Sequence, residues 1–265
     1  MIPARYESQR YPGKPLAELR GATGEARPLI RRTWDAAQAV AGVAEGRVRV
    51  VVATDDARIR AAAEGFGAEV VTTSDRCRNG TERCAEAQAA LGYGHEVVVN
   101  LQGDAPLTPP WFLEALIDAM MADPTVEMST PVLRCDGRTR ASLLEDRRAG
   151  RVGGTTAVFD RNRHALYFSK EVIPHTSGSY ADDAPTPVFH HVGAYAYRAG
   201  ALMDYLSWPA GTLEQLEGLE QLRFLEAGAR VLCVEVDARG RPFWELNNPE
   251  DIPRLEAMLA SLGIA

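Results

Sequence analysis

Short β-branched runs alternate with alanine-rich stretches of helical spacing through the first hundred residues, and this alternation restricts the chain to few folds. VRVVVAT (48–54), AEVVTT (68–73) and EVVVNLQG (96–103) read as strands. PLIRRTWDAAQAVA (28–41), DARIRAAAEGF (56–66) and GTERCAEAQAAL (80–91) read as helices. Parallel neighbours need a crossover and a helix supplies one, so the pattern predicts a three-layer α/β domain with a mostly parallel sheet. Only Met1 to Ala4 stand where a first strand belongs, and the start reads as shortened relative to a natural gene product.

From about residue 136 the texture changes. RTRASLLEDRRAGRVGGTTAVFD mixes charge with glycine, and SGSYADDAPTP (177–187) reads as a mobile polar loop. VFHHVGAYAYR (188–198) has the pattern of a strand, TLEQLEGLEQLRFLEAG (212–228) of a helix, and ARVLCVEV (229–236) of another strand. PEDIPRLEAMLASLG closes the chain as a helix with proline and acids at its start, where the helix dipole favours them. The economical architecture is a nucleotide-binding core from 1–135 and 229–265 with an inserted α+β subdomain at 136–228.

The 265 residues are 46 % hydrophobic, enough for a full core. A net charge of −7 gives no general attraction to polyanions, so neither a nucleic acid nor a membrane surface is an expected partner. There is no apolar run of membrane length and no signal-peptide pattern, so the cytoplasm is the expected compartment. Cys77, Cys84, Cys135 and Cys233 are scattered without zinc-site spacing and read as free thiols.

Against this acidic background PARYESQRYPGKPL (3–16) places Arg5, Arg10 and Lys14 on a loop stiffened by proline. Such a cluster suits one local anion, although any single member also fits a solvated loop. In open α/β sheets ligands bind beyond the carboxyl ends of the strands. This loop, the NGTER segment and the QGDAP segment all occupy such places. Gln102 offers an amide for a nucleotide and Asp104 a carboxylate for Mg²⁺, while QGD alone is also a plain turn.

In order, PAR-x-x-S-x-R-x-PGKPL, GTER, QGD-x-P, ALYFS, H-x-G-x-Y-x-Y, LEQLR and NPED resemble the motifs of the 3-deoxy-manno-octulosonate cytidylyltransferase family. The resemblance runs from Ile2 to the C-terminal helix. It implies a Rossmann-like nucleotidyltransferase fold and a reaction of CTP with an eight-carbon 2-keto-3-deoxy sugar acid, giving CMP-sugar and pyrophosphate. Arg10, Lys14 and Asp104 then carry catalysis; Pro3, Ala4, Arg5, Ser8, Gly80, Thr81, Arg83 and Gln102 join Arg10 and Lys14 around the nucleotide. Ser8 also fits a turn or cap, and Glu82 also fits a first-turn helix acid. Resemblance places Lys170, His191, Tyr195, Glu220 and Gln221 at the acceptor, Asp104 and Asn247 on Mg²⁺, and a homodimer contact in the insertion. His191 and the alternating Tyr195 and Tyr197 equally suit a buried strand face.

The departures from the family's pattern are specific. Relatives show D-H-x-S before GTER, where this chain has Arg76-Cys77-Arg78-Asn79. Ala105 replaces a glutamate, Thr156 a lysine, and Lys170 an arginine, which removes a planar two-point grip on a carboxylate. Asn247 stands where the family's second metal-binding aspartate belongs, with Glu245 two residues earlier as a compensating carboxylate. The expected activity is Mg²⁺-dependent CMP transfer to 3-deoxy-manno-octulosonate. The alternatives are transfer to another acid, such as a modified octulosonate, a nonulosonate or a phosphonate, and a nucleotide-binding protein without catalysis.

Overall fold

The computed structural model describes residues 1–7, 11–92, 94–152, 154–241 and 244–265. Two compact units emerge, Met1–Glu114 with Ala238–Ala265, and Ala115–Asp237. The expected insertion, 136–228, lies inside the second, which also takes 115–135 and 229–237 from the expected core.

In the first unit the strands β1 (Ile2–Ala4), β4 (Val51–Thr54) and β5 (Glu69–Thr72) pair in parallel, with Ala4 opposite Thr54 and Thr54 opposite Thr72. β6 (Val97–Leu101) lies beside β1: the Leu101 N–H donates to the Met1 carbonyl at 3.0 Å. The Met1 amino group donates to the Val99 carbonyl at 2.6 Å. β2 (Glu18–Arg20) and β3 (Ala26–Pro28) form a small antiparallel ribbon that leads into α1 (Leu29–Gln38). α2 (Ala57–Gly65) and α3 (Gly80–Leu91) complete the alternation, each started by an N-cap: Asp56 accepts from the N–H groups of Arg58 and Ile59, Asn79 from that of Glu82. Because the strands are parallel and in register, the residues following Ala4, Thr54, Thr72 and Leu101 gather at one edge of the sheet.

The chain's end returns to this unit. After a short 3-10 turn at Pro249–Asp251, α9 (Ile252–Ser261) packs Leu255 and Leu259 against Leu19, Leu29, Leu107 and Leu246. Arg32, buried on α1, donates to the Leu19 carbonyl at 3.0 Å and the Ala265 carbonyl at 2.7 Å, which ties ribbon and C-terminus to one helix.

α4 (Pro110–Ala122) spans the boundary at 114/115. The second unit is centred on β7 (Met128–Asp136), which pairs in parallel with β12 (Val231–Glu235). Val132 of β7 faces Glu235 on that side and His191 of β10 (Pro185–His191) on the other. β11 (Ala194–Arg198) continues antiparallel along the same edge as β10, with the register advanced by two residues. The expected strand over 188–198 is therefore one ribbon broken by a bulge at Val192–Gly193, where the Val192 N–H bonds to the Pro131 carbonyl at 3.1 Å. β8 (Thr155–Phe159) pairs with β10, and β9 (Ala165–Ser169) with β8 as the outer strand.

The expected helix over 212–228 is two: α7 (Thr212–Glu217) ends at Gly218 in the left-handed conformation, φ 61°, and α8 (Leu222–Glu226) begins afresh. α5 (Gly137–Arg148) and α6 (Ala199–Ser207) flank the sheet. β2, β3, α4, α5, α6, β7 and β9 were not expected. α5 carries a charged sequence with little apolar periodicity, and β7 is interrupted by Pro131, which sequence reading scores against a strand. Of the expected polar loop, residues 185–187 belong to β10.

Candidate active site

At the carboxyl edge of the first unit's sheet lies a cleft of about 1140 Å³. Pro3, Ala4, Arg5, Lys14, Gly80, Arg83, Gln102 and Asp104, predicted from three separate sequence segments, all line it. Ser8 and Arg10 lie outside the described residues, so the structure says nothing of their part in the loop.

The basic loop closes on itself. Gly13, at φ 74°, donates its N–H to the Tyr6 carbonyl at 2.8 Å and caps a single 3-10 turn, Lys14–Leu16, with Pro15 buried inside it. Only glycine takes that backbone angle without strain, and a Cβ there would sit 3.0 Å from the Tyr6 ring. The turn aims Lys14 at the end of β6, where its Nζ donates to Asp104 Oδ2 at 2.5 Å. Both side chains are largely covered, so this ion pair is better shielded than a surface pair.

Behind β6, Gly103 passes so close to β1 that a Cβ would meet the Pro3 carbonyl at 2.8 Å. Gln102 lies over the start of α3, since a Cβ on Gly80 would contact both atoms of its amide at 3.1 Å. Thr81 is buried, and Arg83 is buried with its guanidinium on Thr73 at 2.5 Å and on Asp55 at 3.1 Å. Arg83 thus joins the floor of the cleft to the ends of β4 and β5. Glu82 takes the role of a first-turn acid: its carboxylate accepts the Arg78 N–H at 2.8 Å and the Arg78 guanidinium at 2.6 Å.

The altered segment 76–79 is built into the same wall. Asn79 serves as the helix cap, a role the serine of the family's pattern also suits. Cys77 donates from Sγ to Glu86 Oε2 at 3.0 Å, and burial, followed by the Glu86 carboxylate, pushes its thiol up to about 12. Cys77 is therefore a neutral thiol at any physiological pH. Arg5 reaches the Arg78 carbonyl at 3.5 Å. Sequence reasoning did not single out Tyr6 or Arg58, which also line the cleft, and named Arg78 only within the altered segment. For Arg58 the signal was its place one residue into the helix that follows β4.

Among the described residues no cluster of three His, Cys, Asp or Glu side chains is set to hold a metal. Asp104 and Asn247 come to one strand end. The Leu246 N–H donates to the Asp104 carbonyl at 3.0 Å, which brings Asn247, the next residue, to the same strand end. The turn there is held by Asp251, whose carboxylate accepts the N–H groups of Asn247 at 3.0 Å and Asn248 at 2.7 Å and the Trp244 indole at 3.0 Å. Burial opposes the Asp251 charge, but these hydrogen bonds outweigh it and hold the carboxyl below its usual range. One carboxylate and one amide oxygen are hard donors, and a magnesium ion completes its shell with water and phosphate oxygens.

The acceptor residues predicted in the second unit have a different character. His191 is buried, its ring 5.0 Å from Phe168 and 5.7 Å from Tyr195, and burial drives its pKa down to about 3. Its Nε2 lies 2.8 Å from Thr130 Oγ1. The same hydroxyl lies 2.9 Å from the Ala194 carbonyl, so it is shared between the imidazole and the backbone. The Tyr195 hydroxyl donates to Gln221 Oε1 at 3.3 Å, and Gln221 Nε2 is buried without a hydrogen-bond partner. Glu220, half-buried beside it, offers its carbonyl to the Tyr205 hydroxyl at 3.4 Å. Lys170, half-buried, donates its N–H to Glu217 at 2.9 Å, and its Nζ lies 3.0 Å from where a Cβ on Gly218 would stand. Thr156, where the family's pattern has lysine, is buried, and its hydroxyl is used by the Glu171 carbonyl at 2.6 Å and the Ile173 N–H at 3.1 Å.

A family model for cytidylyltransferases matches residues 1–231. The chain is 42 % identical over 263 residues to the 3-deoxy-manno-octulosonate cytidylyltransferase of Maricaulis maris, covering 99 % of this chain and 97 % of that one. It is 38 % identical to the 8-amino-3,8-dideoxy-manno-octulosonate cytidylyltransferase of a Shewanella species, with 98 % of each covered. Among solved structures, CMP:2-keto-3-deoxy-manno-octonic acid synthetase complexed with CTP superposes with a TM-score of 0.80 at 32 % identity, over 98 % of this chain and 97 % of that one. The order of motifs, the fold and these likenesses agree: the chain belongs to the 3-deoxy-manno-octulosonate cytidylyltransferase family.

Proposed function

We propose that this protein transfers CMP from CTP to 3-deoxy-manno-octulosonate and releases pyrophosphate. The observation that carries the reading is the convergence of Arg5, Lys14, Gln102 and Asp104 on one cleft at the carboxyl edge of a parallel sheet, in a chain akin to a synthetase solved with CTP. Cations on a preformed loop hold a triphosphate with little ordering cost, and charge-assisted contacts to phosphate are the strong ones. Arg5, Arg10 and Lys14 grip the phosphates, and Gln102 with the start of α3 bounds the nucleotide. The anomeric hydroxyl oxygen of the sugar acid bonds to the α-phosphorus, the bond to the bridging oxygen of pyrophosphate breaks, and the hydroxyl proton leaves to solvent. Positioning and electrostatics supply most of the rate in such a displacement.

Asp104 and Asn247 are the residues proposed to hold Mg²⁺, whose chemistry when bound is to offset charge on the phosphoryl oxygens. Lys14 donates to the Asp104 carboxylate. Lys170, His191, Tyr195, Glu220 and Gln221 are proposed to receive the acceptor. A neutral imidazole held against a hydroxyl and a buried amide with a spare donor suit sugar hydroxyls better than a second charged group.

A second reading, transfer to a modified octulosonate, is favoured by the loss of a cation at Thr156, whose hydroxyl is spent on the backbone, and by the kinship to an amino-sugar enzyme. A cytoplasmic place and a homodimer contact through the second unit belong to the same proposal. CTP and a free sugar acid are water-soluble. Leu166 on the outer strand β9 and Leu216 on α7 are 64 % and 78 % exposed, apolar surface for a partner to cover. Pyrophosphate release with CTP across a panel of 2-keto-3-deoxy acids tests the assignment. The fastest turnover is expected with 3-deoxy-manno-octulosonate, and faster turnover with its 8-amino analogue would select the second reading.

A further inference from the structure

The guanidinium of Arg58 lies 3.3 Å from the centroid of the Tyr6 ring. Two independent contacts fix what this stack does. The hydroxyl end of the same ring lies against Gly13, and the Tyr6 carbonyl accepts the Gly13 N–H at 2.8 Å, so Tyr6 forms one side of the closed basic loop and Gly13 the other. Arg58 in turn is fixed by Asp56, which takes its Nε at 3.1 Å and its Nη2 at 2.6 Å while also capping α2.

An arginine in the first turn of a helix is opposed by the helix dipole, so helix formation does not explain it there. Its charge is already balanced by Asp56, which makes it a poor free phosphate ligand but a good planar surface for an aromatic ring. Resting on the nucleotide-binding reading of the cleft, we propose that Tyr6 and Arg58 are positioning residues: their stack joins the N-terminus of α2 to the basic loop and presets the turn that aims Lys14. The proposed benefit is that the Lys14–Leu16 turn is set before the triphosphate arrives.

The test is a double-mutant cycle on CTP binding, with Mg²⁺ present and acceptor absent, read by titration calorimetry. Arg58→Ala and Tyr6→Leu are each expected to weaken CTP by about five-fold, the double variant no more than either alone, with acceptor KM and melting temperature unchanged. Tyr6→Phe keeps the ring and should restore wild-type affinity. An Arg58→Ala variant that binds CTP as the wild type does would overturn the proposal. So would a loss that persists in full on the Tyr6→Leu background, because Arg58 would then touch the phosphates directly. Failure of the wild type itself to bind CTP would remove the nucleotide site on which the proposal stands, a result separable from the other two.

Discussion

The two units present their proposed ligands with opposite chemistry. Around the cleft of the first, cations from several segments gather, some exposed and some covered: Arg5 and Arg58 face solvent, Lys14 meets Asp104 across the strand ends, and Arg83 is buried. In the second, the group around His191, Tyr195 and Gln221 is buried, uncharged and set in a column of aromatic rings that continues through Tyr197 and Phe224. A triphosphate demands cations, and cations cluster visibly in a sequence. Sugar hydroxyls demand directional neutral partners, and these share their residue types with any protein core.

The sharpest way to break the contrast is to remove charge from the first unit. Asp104→Asn should abolish most turnover, because it takes the carboxylate from both Lys14 and the proposed metal. Arg10→Ala or Lys14→Ala should each cost about 1.5–3 kcal/mol of CTP binding, measured by titration. Normal kinetics in folded Lys14→Ala protein would make the loop a solvated surface and leave the cleft without its main feature.

Legibility followed the same division. The alternation through residue 103 was readable because β4, β5 and β6 are β-branched runs and α1, α2 and α3 each begin with a capping residue or proline, whereas the ribbon of β2 and β3 carries no such signal. Gln102 and Asp104 were readable because parallel register brings strand ends together, whereas Pro3 and Gly80 were named through the family resemblance. In the second unit, tertiary context overrode local signals. Pro131 sits inside the central strand, Val192–Gly193 adds two residues to a ribbon that reads as continuous, and Gly218 breaks an apparent helix by adopting a left-handed angle. Arg58 escaped notice because its stacking partner lies 52 residues earlier in sequence, a pairing no local pattern records.

On the neutral side the expected effects are smaller. Gln221→Met, close in volume and without the amide, should raise acceptor KM by about ten-fold, the order of a lost neutral hydrogen bond, while leaving CTP affinity intact. A parallel loss of CTP affinity would mean that the second unit does not act on the acceptor alone.

The metal turn lies between these extremes in charge. Asn247→Asp should lower the Mg²⁺ concentration for half-maximal rate several-fold, since a second carboxylate strengthens a hard-cation site. If that concentration stays unchanged while Glu245→Gln raises it, Glu245 is the compensating ligand in place of Asn247.

A separate expectation concerns pH. His191 has a folded pKa of about 3, below its unfolded value, so its burial favours the folded state fully above about pH 6.5 and that contribution is lost as pH falls toward 3. Thermal melts should therefore show the second unit losing stability from pH 6.5 downward, and His191→Phe should flatten that slope if the protein folds. Acceptor KM should stay flat between pH 6.5 and 8 because the imidazole remains neutral. A titration of acceptor binding near pH 6.5 would mean that His191 is exposed and charged in solution.

The central claim, that the cleft holds CTP for transfer of its CMP group to a sugar acid, is tested most directly by following the α-phosphorus. CTP labelled at that atom, incubated with Mg²⁺ and 3-deoxy-manno-octulosonate, should deliver the label into a CMP–sugar whose mass equals the sum of CMP and the acid less one water, with one pyrophosphate released per label transferred. Label that remains in CTP while the nucleotide stays bound, with this acid and with its modified analogues, would contradict the account and leave a nucleotide-binding protein.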